Sequence, residues 1–252
     1  MEFNFENHTD ILSHVYNNNI DKDFETNPKF KQYNAEYFVP RVTVLLDTIK
    51  EDYLLQWANS LGWKRMSYSK TLQQYADIGT EVHNDIEDFI KYGEVGMSPG
   101  FISFKDWWDK FNELNVVTNV KSELNLSCPY FAGTTDLFFK ANGKNCLVDF
   151  KTSKNISYKY TMQLSAYTYM IQEAIKEPVD YCIILQVDKY EPRVYDVYLY
   201  DLSNPEINDL FNTGLMYMIC LSKGYHYRTH IEQKFSEINP TVKCKSGEVV
   251  LK

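Results

Sequence analysis

The sequence predicts one α/β domain with a helical N-terminal part, and three observations predict it. Apolar residues recur at three-to-four spacing through residues 43–91, the period of a helix with one buried face. From Val116 the period changes to two, and an Asn-Gly pair at 142–143 sits between two strand-like runs. Beyond residue 160, helix-like and strand-like segments alternate, as in a layered α/β domain. With 252 residues, 44% of them hydrophobic and 24% charged, the chain has enough apolar material for a sizeable core.

Residues 1–40 are polar and Asn-rich with scattered aromatics, and are expected to form an irregular or partly helical arm. A helix is predicted over 43–62 from Val44, Leu45, Ile49, Tyr53, Leu54, Trp57 and Leu61. A second covers 71–91 through Ile78, Val82, Ile86 and Phe89. Gly93, Gly96, Pro99 and Gly100 break it, and a short helix follows over 104–114. Strands are expected at 116–126, 130–140 and 145–152, then a helix at 161–176 and strands at 181–188 and 193–200. The last helix covers 205–221 and is capped near Gly224. The domain is thus read as 41–225, followed by a polar, loosely held tail at 226–252.

Composition excludes several classes. No apolar run approaches the ~18 residues needed to span a bilayer, and the polar, acidic start shows no secretory signal, so a cytoplasmic protein without a membrane partner is expected. The formal charge of −8 gives no bulk attraction to nucleic acid, so such a function must come from a site. Cys128, Cys146, Cys182, Cys220 and Cys244 are far apart and lack CxxC spacing, which speaks for buried free thiols and against a zinc ribbon or iron–sulfur cluster.

The hairpin register carries the chemistry. If Asn142-Gly143 is the loop, Ala141 pairs with Lys144, and continuing the count sets Asp136 against Asp149. Lys151, two residues on, projects from the same face, whereas Phe150 points into the core. Like charges so close need a cation between them, and an all-oxygen set suits Mg²⁺ or Mn²⁺. Two readings stand here: a metal site, or a solvated sheet face with an Asp–Lys pair. The apolar neighbours Leu137, Phe138, Phe139, Leu147, Val148 and Phe150 describe central strands, where charge needs a reason.

Four motifs then resemble one superfamily. Gly133-Thr134-Thr135-Asp136, Asp149-Phe150-Lys151-Thr152 and Gln163-Leu164-Ser165-Ala166-Tyr167 resemble the PD-(D/E)XK nucleases of the RecB-like branch, and Gly79-Thr80-Glu81-Val82-His83 is similar to that branch's G-x-x-x-H helix. Upstream, Pro40 to Asp47 with Trp57 is similar to the entry of phage exonucleases and the mitochondrial genome maintenance exonuclease. Thr135 stands where the name-giving Pro would be, and Asp149 where many relatives have Glu.

The resemblance implies a restriction-endonuclease-like core, a central mixed β-sheet flanked by helices, and a metal-dependent DNA exonuclease using one or two Mg²⁺ or Mn²⁺ ions. It implies single-stranded or free-ended DNA as partner, and a role in recombination, repair or phage DNA metabolism (in the host cytoplasm if phage-encoded). It assigns Asp136, Asp149, His83 and the Phe150 carbonyl to the metal, Lys151 to the attacking water and phosphate, and Gln163 and Tyr167 to positioning. Glu87, four residues from His83, reads as a second-metal ligand or a solvated residue, and Glu123 as near the site or paired with a surface lysine. Lys154 and Lys159 are candidates for flanking phosphates. An endonuclease or nickase, or a non-catalytic DNA-binding module, are the alternatives; the complete Asp136, Asp149 and Lys151 set speaks against the last.

Overall fold

The computed structural model describes residues 30–32 and 38–238. Two short strands, β1 (Phe30–Gln32) and β2 (Phe38–Pro40), pair antiparallel where an irregular or helical arm was expected; the rest of that arm lies outside the described residues. Four helices follow: α1 (Val42–Asp47), α2 (Asp52–Trp63), α3 (Tyr68–Tyr92) and α4 (Pro99–Leu114). Then come β3 (Val117–Ser127), β4 (Ala132–Ala141), β5 (Lys144–Lys151), α5 (Tyr158–Ile175), β6 (Tyr181–Val187), β7 (Tyr195–Asp201) and α6 (Pro205–Ile238).

The single helix expected over 43–62 is two, because Thr48 Oγ1 donates to the Leu45 carbonyl and closes α1 before the chain restarts at Asp52. The helix expected from 104 starts at Pro99, which suits a first helical position, with Ser98 as its cap. Asp85 of α3 accepts the Ser98 N–H and O–H, tying α3 to α4. The last helix does not stop near Gly224 but runs on to Ile238, burying Ser222 and His226, so residues 226–238 of the expected tail are helical. The remainder of the tail lies outside the described residues.

The five longer strands form one mixed sheet in the order β3-β4-β5-β6-β7, parallel only between β5 and β6, where α5 makes the crossover. Alternation along the strands sends side chains into two cores. Phe138, Leu147, Cys182 and Ile184 pack against α1, α5 and α6. Leu137, Phe139, Val148, Phe150, Ile183 and Leu185 pack against Val82 and Ile86 of α3 and the Phe104, Trp107 and Trp108 group of α4. The protein is a mixed α/β fold, a five-stranded sheet between helical layers with a helical N-terminal part. No described helix is long and apolar enough to cross a membrane. Cys128, Cys146 and Cys182 are buried free thiols as expected, but Cys220 is exposed, and Cys244 lies outside the described residues.

Candidate metal centre

The hairpin turns at Asn142-Gly143 with positive φ at both residues, 51° and 82°, the geometry of a two-residue turn that follows the strand twist. Its register is the expected one from Ala141↔Lys144 to Leu137↔Val148, and there the ladder ends. Asp136 is the next residue. Instead of facing Asp149 across a ladder pair, its Oδ2 accepts the Phe150 main-chain N–H at 2.7 Å. The N–H and C=O of a strand residue project to the same edge, so the Phe150 carbonyl faces this gap too.

Asp149, on the α5 face of β5, is buried at 1% exposure. Lys151 Nζ approaches its Oδ2 at 2.6 Å, yet neither Asp149 oxygen has a partner in hydrogen-bonding geometry. Burial pushes this carboxyl above the ordinary carboxylate range, with Lys151 opposing the shift and Asp136 adding to it. Asp136 behaves in the opposite way. Burial disfavours its charge as well, but the charge of His83 and its hydrogen bond outweigh that and hold the carboxyl below its usual value.

His83 reaches Asp136 from the other helical layer. Val82 and Ile86 anchor α3 on the Phe150 side of the sheet, and the His83 ring meets the Phe150 ring edge-on at 6.0 Å. Gly79, one turn earlier, lets the helix come close to Thr152, whose Oγ1 lies 3.3 Å from where a Cβ would sit. His83 Nδ1 then stands 3.5 Å from Asp136 Oδ1. Burial opposes its protonation, but Asp136 prevails and raises the imidazole to about 9.

Lys151 is held from three sides. Besides Asp149, it donates to Gln163 Oε1 at 3.1 Å and lies 4.8 Å from the centre of the Tyr160 ring. Gln163 Nε2 in turn donates to Tyr167 Oη at 3.3 Å, one turn along α5. Tyr167 fits because residue 133 is glycine; a Cβ there would lie 2.6 Å from Tyr167 Cε1. Burial disfavours the Lys151 charge, yet Asp149 and Asp136 overcome it and keep the ammonium protonated.

The structure thus brings His83, Asp136, Asp149, Lys151, Gln163 and Tyr167 together. Three other candidates stand apart. Glu87 is ion-paired with Lys91 one turn along α3. Lys154 is exposed. Lys159 is engaged within the protein: its Nζ donates to the Ile49 carbonyl at 2.7 Å and pairs with Glu51 at 3.2 Å, fastening α5 to the α1–α2 connection. So engaged, the half-buried ammonium acts as a strut between these elements.

Glu123 is a residue whose place the sequence left open. Ligand atoms of His83, Glu123 and Asp136 lie within 4.8 Å of one another. Ser122↔Leu137 and Leu124↔Thr135 flank it in the β3–β4 ladder, which sets Glu123 across from Asp136. The structure's four-residue β3–β4 loop, between Ser127 and Ala132, sets this register, which the strand bounds expected from sequence did not. Burial and the nearby Asp136 and Glu87 charges raise the Glu123 carboxyl.

The donor set fits a hard divalent cation: carboxylates, an imidazole and a main-chain carbonyl, with no thiolate. Asp149 is the observation that fits one best: it is almost wholly buried, its close partner is the Lys151 ammonium at 2.6 Å, and neither oxygen has a partner in hydrogen-bonding geometry.

No family model and no curated protein matches the chain. Among solved structures it is similar to one described as "Crystal structure of SSO0001", at 16% identity, covering 82% of this chain and 86% of that one with a TM-score of 0.36. So slight a likeness has no bearing on fold or chemistry.

Proposed function

We propose that this protein is a metal-dependent deoxyribonuclease that hydrolyses phosphodiester bonds from DNA ends, with single strands preferred. The observation that supports it most is the Asp149 carboxylate, buried near Asp136 and ion-paired with a lysine that Gln163 and Tyr167 hold in place. A sheet-face ion pair of no consequence has no need of that support. DNA as the substrate, and the preference for ends, rest on the resemblance of the sequence motifs to RecB-like PD-(D/E)XK exonucleases.

Asp136, Asp149, the Phe150 carbonyl and His83 would hold the ion or ions. A bound divalent cation supplies Lewis acidity at the phosphate and makes water a better nucleophile. The chain's own residues do the rest. Lys151, whose charge Asp149 and Asp136 favour against burial, would orient the attacking water and offset charge developing on the phosphate. Gln163 fixes where that ammonium points, and Tyr167 fixes Gln163. His83 must give up its proton to become a ligand, which links metal binding to proton release.

Circular and linear single-stranded DNA of one sequence, incubated with Mg²⁺, Mn²⁺ or EDTA, test this reading. It expects the linear form to be consumed with either metal, the circle to survive, and EDTA to stop the reaction. Equal loss of both forms would replace the exonuclease with an endonuclease of the same chemistry.

A further inference from the structure

We infer that the α2–α3 hairpin is a binding platform for single-stranded nucleic acid, with a base stacking at Tyr75 beside Trp57 and phosphates held by Lys189 and the cations Lys64, Arg65 and Lys70. The inference rests on the nuclease reading above and gives the substrate a second point of attachment, away from the metal.

The apolar stripe of α3 runs longer than the body it packs on. Tyr68, Leu72, Tyr75, Gly79, Val82 and Ile86 follow one another at intervals of three or four, on one helix face. Val82 and Ile86 are buried against the sheet, but Tyr68, Leu72 and Tyr75 are exposed, and residues 72–77 are exposed throughout. Among the described residues of α2 only Leu61 is buried, and Trp63 at its end is 89% exposed. The rings on this hairpin are nonetheless ordered. Trp57 stacks on Tyr75 with centroids 5.9 Å apart and planes 20° apart, and Tyr68 meets Trp57 edge-on at 5.3 Å. Lys189 Nζ lies 4.2 Å from the centre of the Tyr75 ring. Rings already held in place lower the ordering cost for a base that joins them.

Charge selects the occupant. In a chain of net charge −8, residues 53–76 carry Lys64, Arg65 and Lys70 and no carboxylate. All three cations are exposed, and among the described residues they and Lys189 enter no ion pair. A protein partner matches this surface poorly, because lysine is depleted from protein interfaces. A polyanion with flat faces matches both the cations and the rings. Duplex DNA hides its base faces in its own stack, so the fit is to a single strand.

The platform leads to the metal centre. Tyr75, Gly79 and His83 are four residues apart along α3, and Gly79 packs against Thr152, the neighbour of Lys151. Eight residues of helix set Tyr75 about 12 Å from His83 along the axis, roughly three nucleotides of a stacked strand. Lys189 follows β6, and Gln186 pairs with Lys151 in the parallel β5–β6 ladder, so this lysine leaves the sheet at the end that carries the site.

The test titrates full-length protein in EDTA, at low salt, against a fluorescent thymidine oligonucleotide, an abasic strand of the same length and a blunt duplex, read by anisotropy. Wild type should bind the thymidine strand most tightly. Tyr75→Ala should weaken that binding about tenfold, as expected for one lost base stack, while Tyr75→Phe should keep it. Lys189→Gln should weaken it and flatten its salt dependence. Absence of wild-type binding, equal affinity for thymidine and abasic strands, or unchanged binding by folded Tyr75→Ala would overturn the inference. So would sedimentation showing that Tyr75→Ala breaks up a dimer while strand binding persists, which assigns the surface to a second copy. No metal is present, so the result does not depend on cleavage, and failure here leaves the digestion of linear and circular DNA to decide the nuclease reading.

Discussion

The Phe150 main-chain N–H donates to Asp136 at 2.7 Å in the place where a continued β4–β5 ladder would set Asp136 against Asp149. The two aspartates therefore have different partners and different electrostatics. Asp136 is held in its ionised form by His83, whereas burial favours the neutral form of Asp149.

Opposite stability effects follow in metal-free buffer. At pH 8, Asp149→Asn should raise Tm, because asparagine mimics the neutral form that the fold prefers. Asp136→Asn should lower it, because it removes a charge that the fold prefers. The two substitutions should move Tm in opposite directions. The signs fix the pH window. Asp136 contributes stability above the ordinary carboxylate range that is lost as pH falls through its lowered value, while the Asp149 penalty appears only as pH rises through its raised one. Both differences should shrink in acid, and melting curves at pH 8 and in acid read this directly. Asp149→Asn should also abolish cleavage.

Lys151→Ala should abolish turnover while leaving divalent binding measurable, since an ammonium is not a ligand. Gln163→Leu should lower kcat about tenfold or more with little change in metal affinity, because it frees the lysine without removing it. Single-turnover cleavage and Mn²⁺ calorimetry on the same preparations separate the two roles.

Gly133→Ala should destabilise the protein by about 1–3 kcal/mol, because its Cβ would lie 2.6 Å from the Tyr167 ring. Activity should fall further than stability explains, through displacement of Tyr167 and then Gln163. Urea unfolding and kcat, measured below the unfolding transition, check this.

His226 provides a pH dependence far from the metal chemistry. Its imidazole is buried in α6 and lowered to about 4 by desolvation. The unfolded chain, with a value near 6.5, binds a proton that the folded chain refuses, so stability should rise with pH between about 4 and 6.5 and level off above. The rise is at most about 3 kcal/mol, and His226→Asn should flatten it in urea titrations at pH 4.5, 5.5 and 7.

The hairpin was legible in the sequence because Asn-Gly fixes both turn type and register, and the register placed Asp136, Asp149 and Lys151 together. His83 and the Gln163–Tyr167 pair were legible through motif resemblance and helical spacing. Glu123 was not placed, because its position depends on the β3–β4 register and on an unusual φ. The strut role of Lys159 depends on Ile49 and Glu51, more than a hundred residues away in the chain, a contact that local pattern does not encode. The length of α6 was missed for a similar reason: Gly224 reads locally as a helix end, but flanking packing that buries Ser222 and His226 carries the helix through it.

We propose that the Asp136, Asp149 and Lys151 constellation hydrolyses DNA with a divalent metal. The most direct measurement is the release of nucleotides from end-labelled linear single-stranded DNA by wild type and Asp149→Asn, in Mg²⁺ and in EDTA. The account predicts release by wild type in Mg²⁺ alone and none by the folded variant. Mg²⁺-dependent release by Asp149→Asn at a rate near wild type, or none by wild type under any divalent metal, would contradict it.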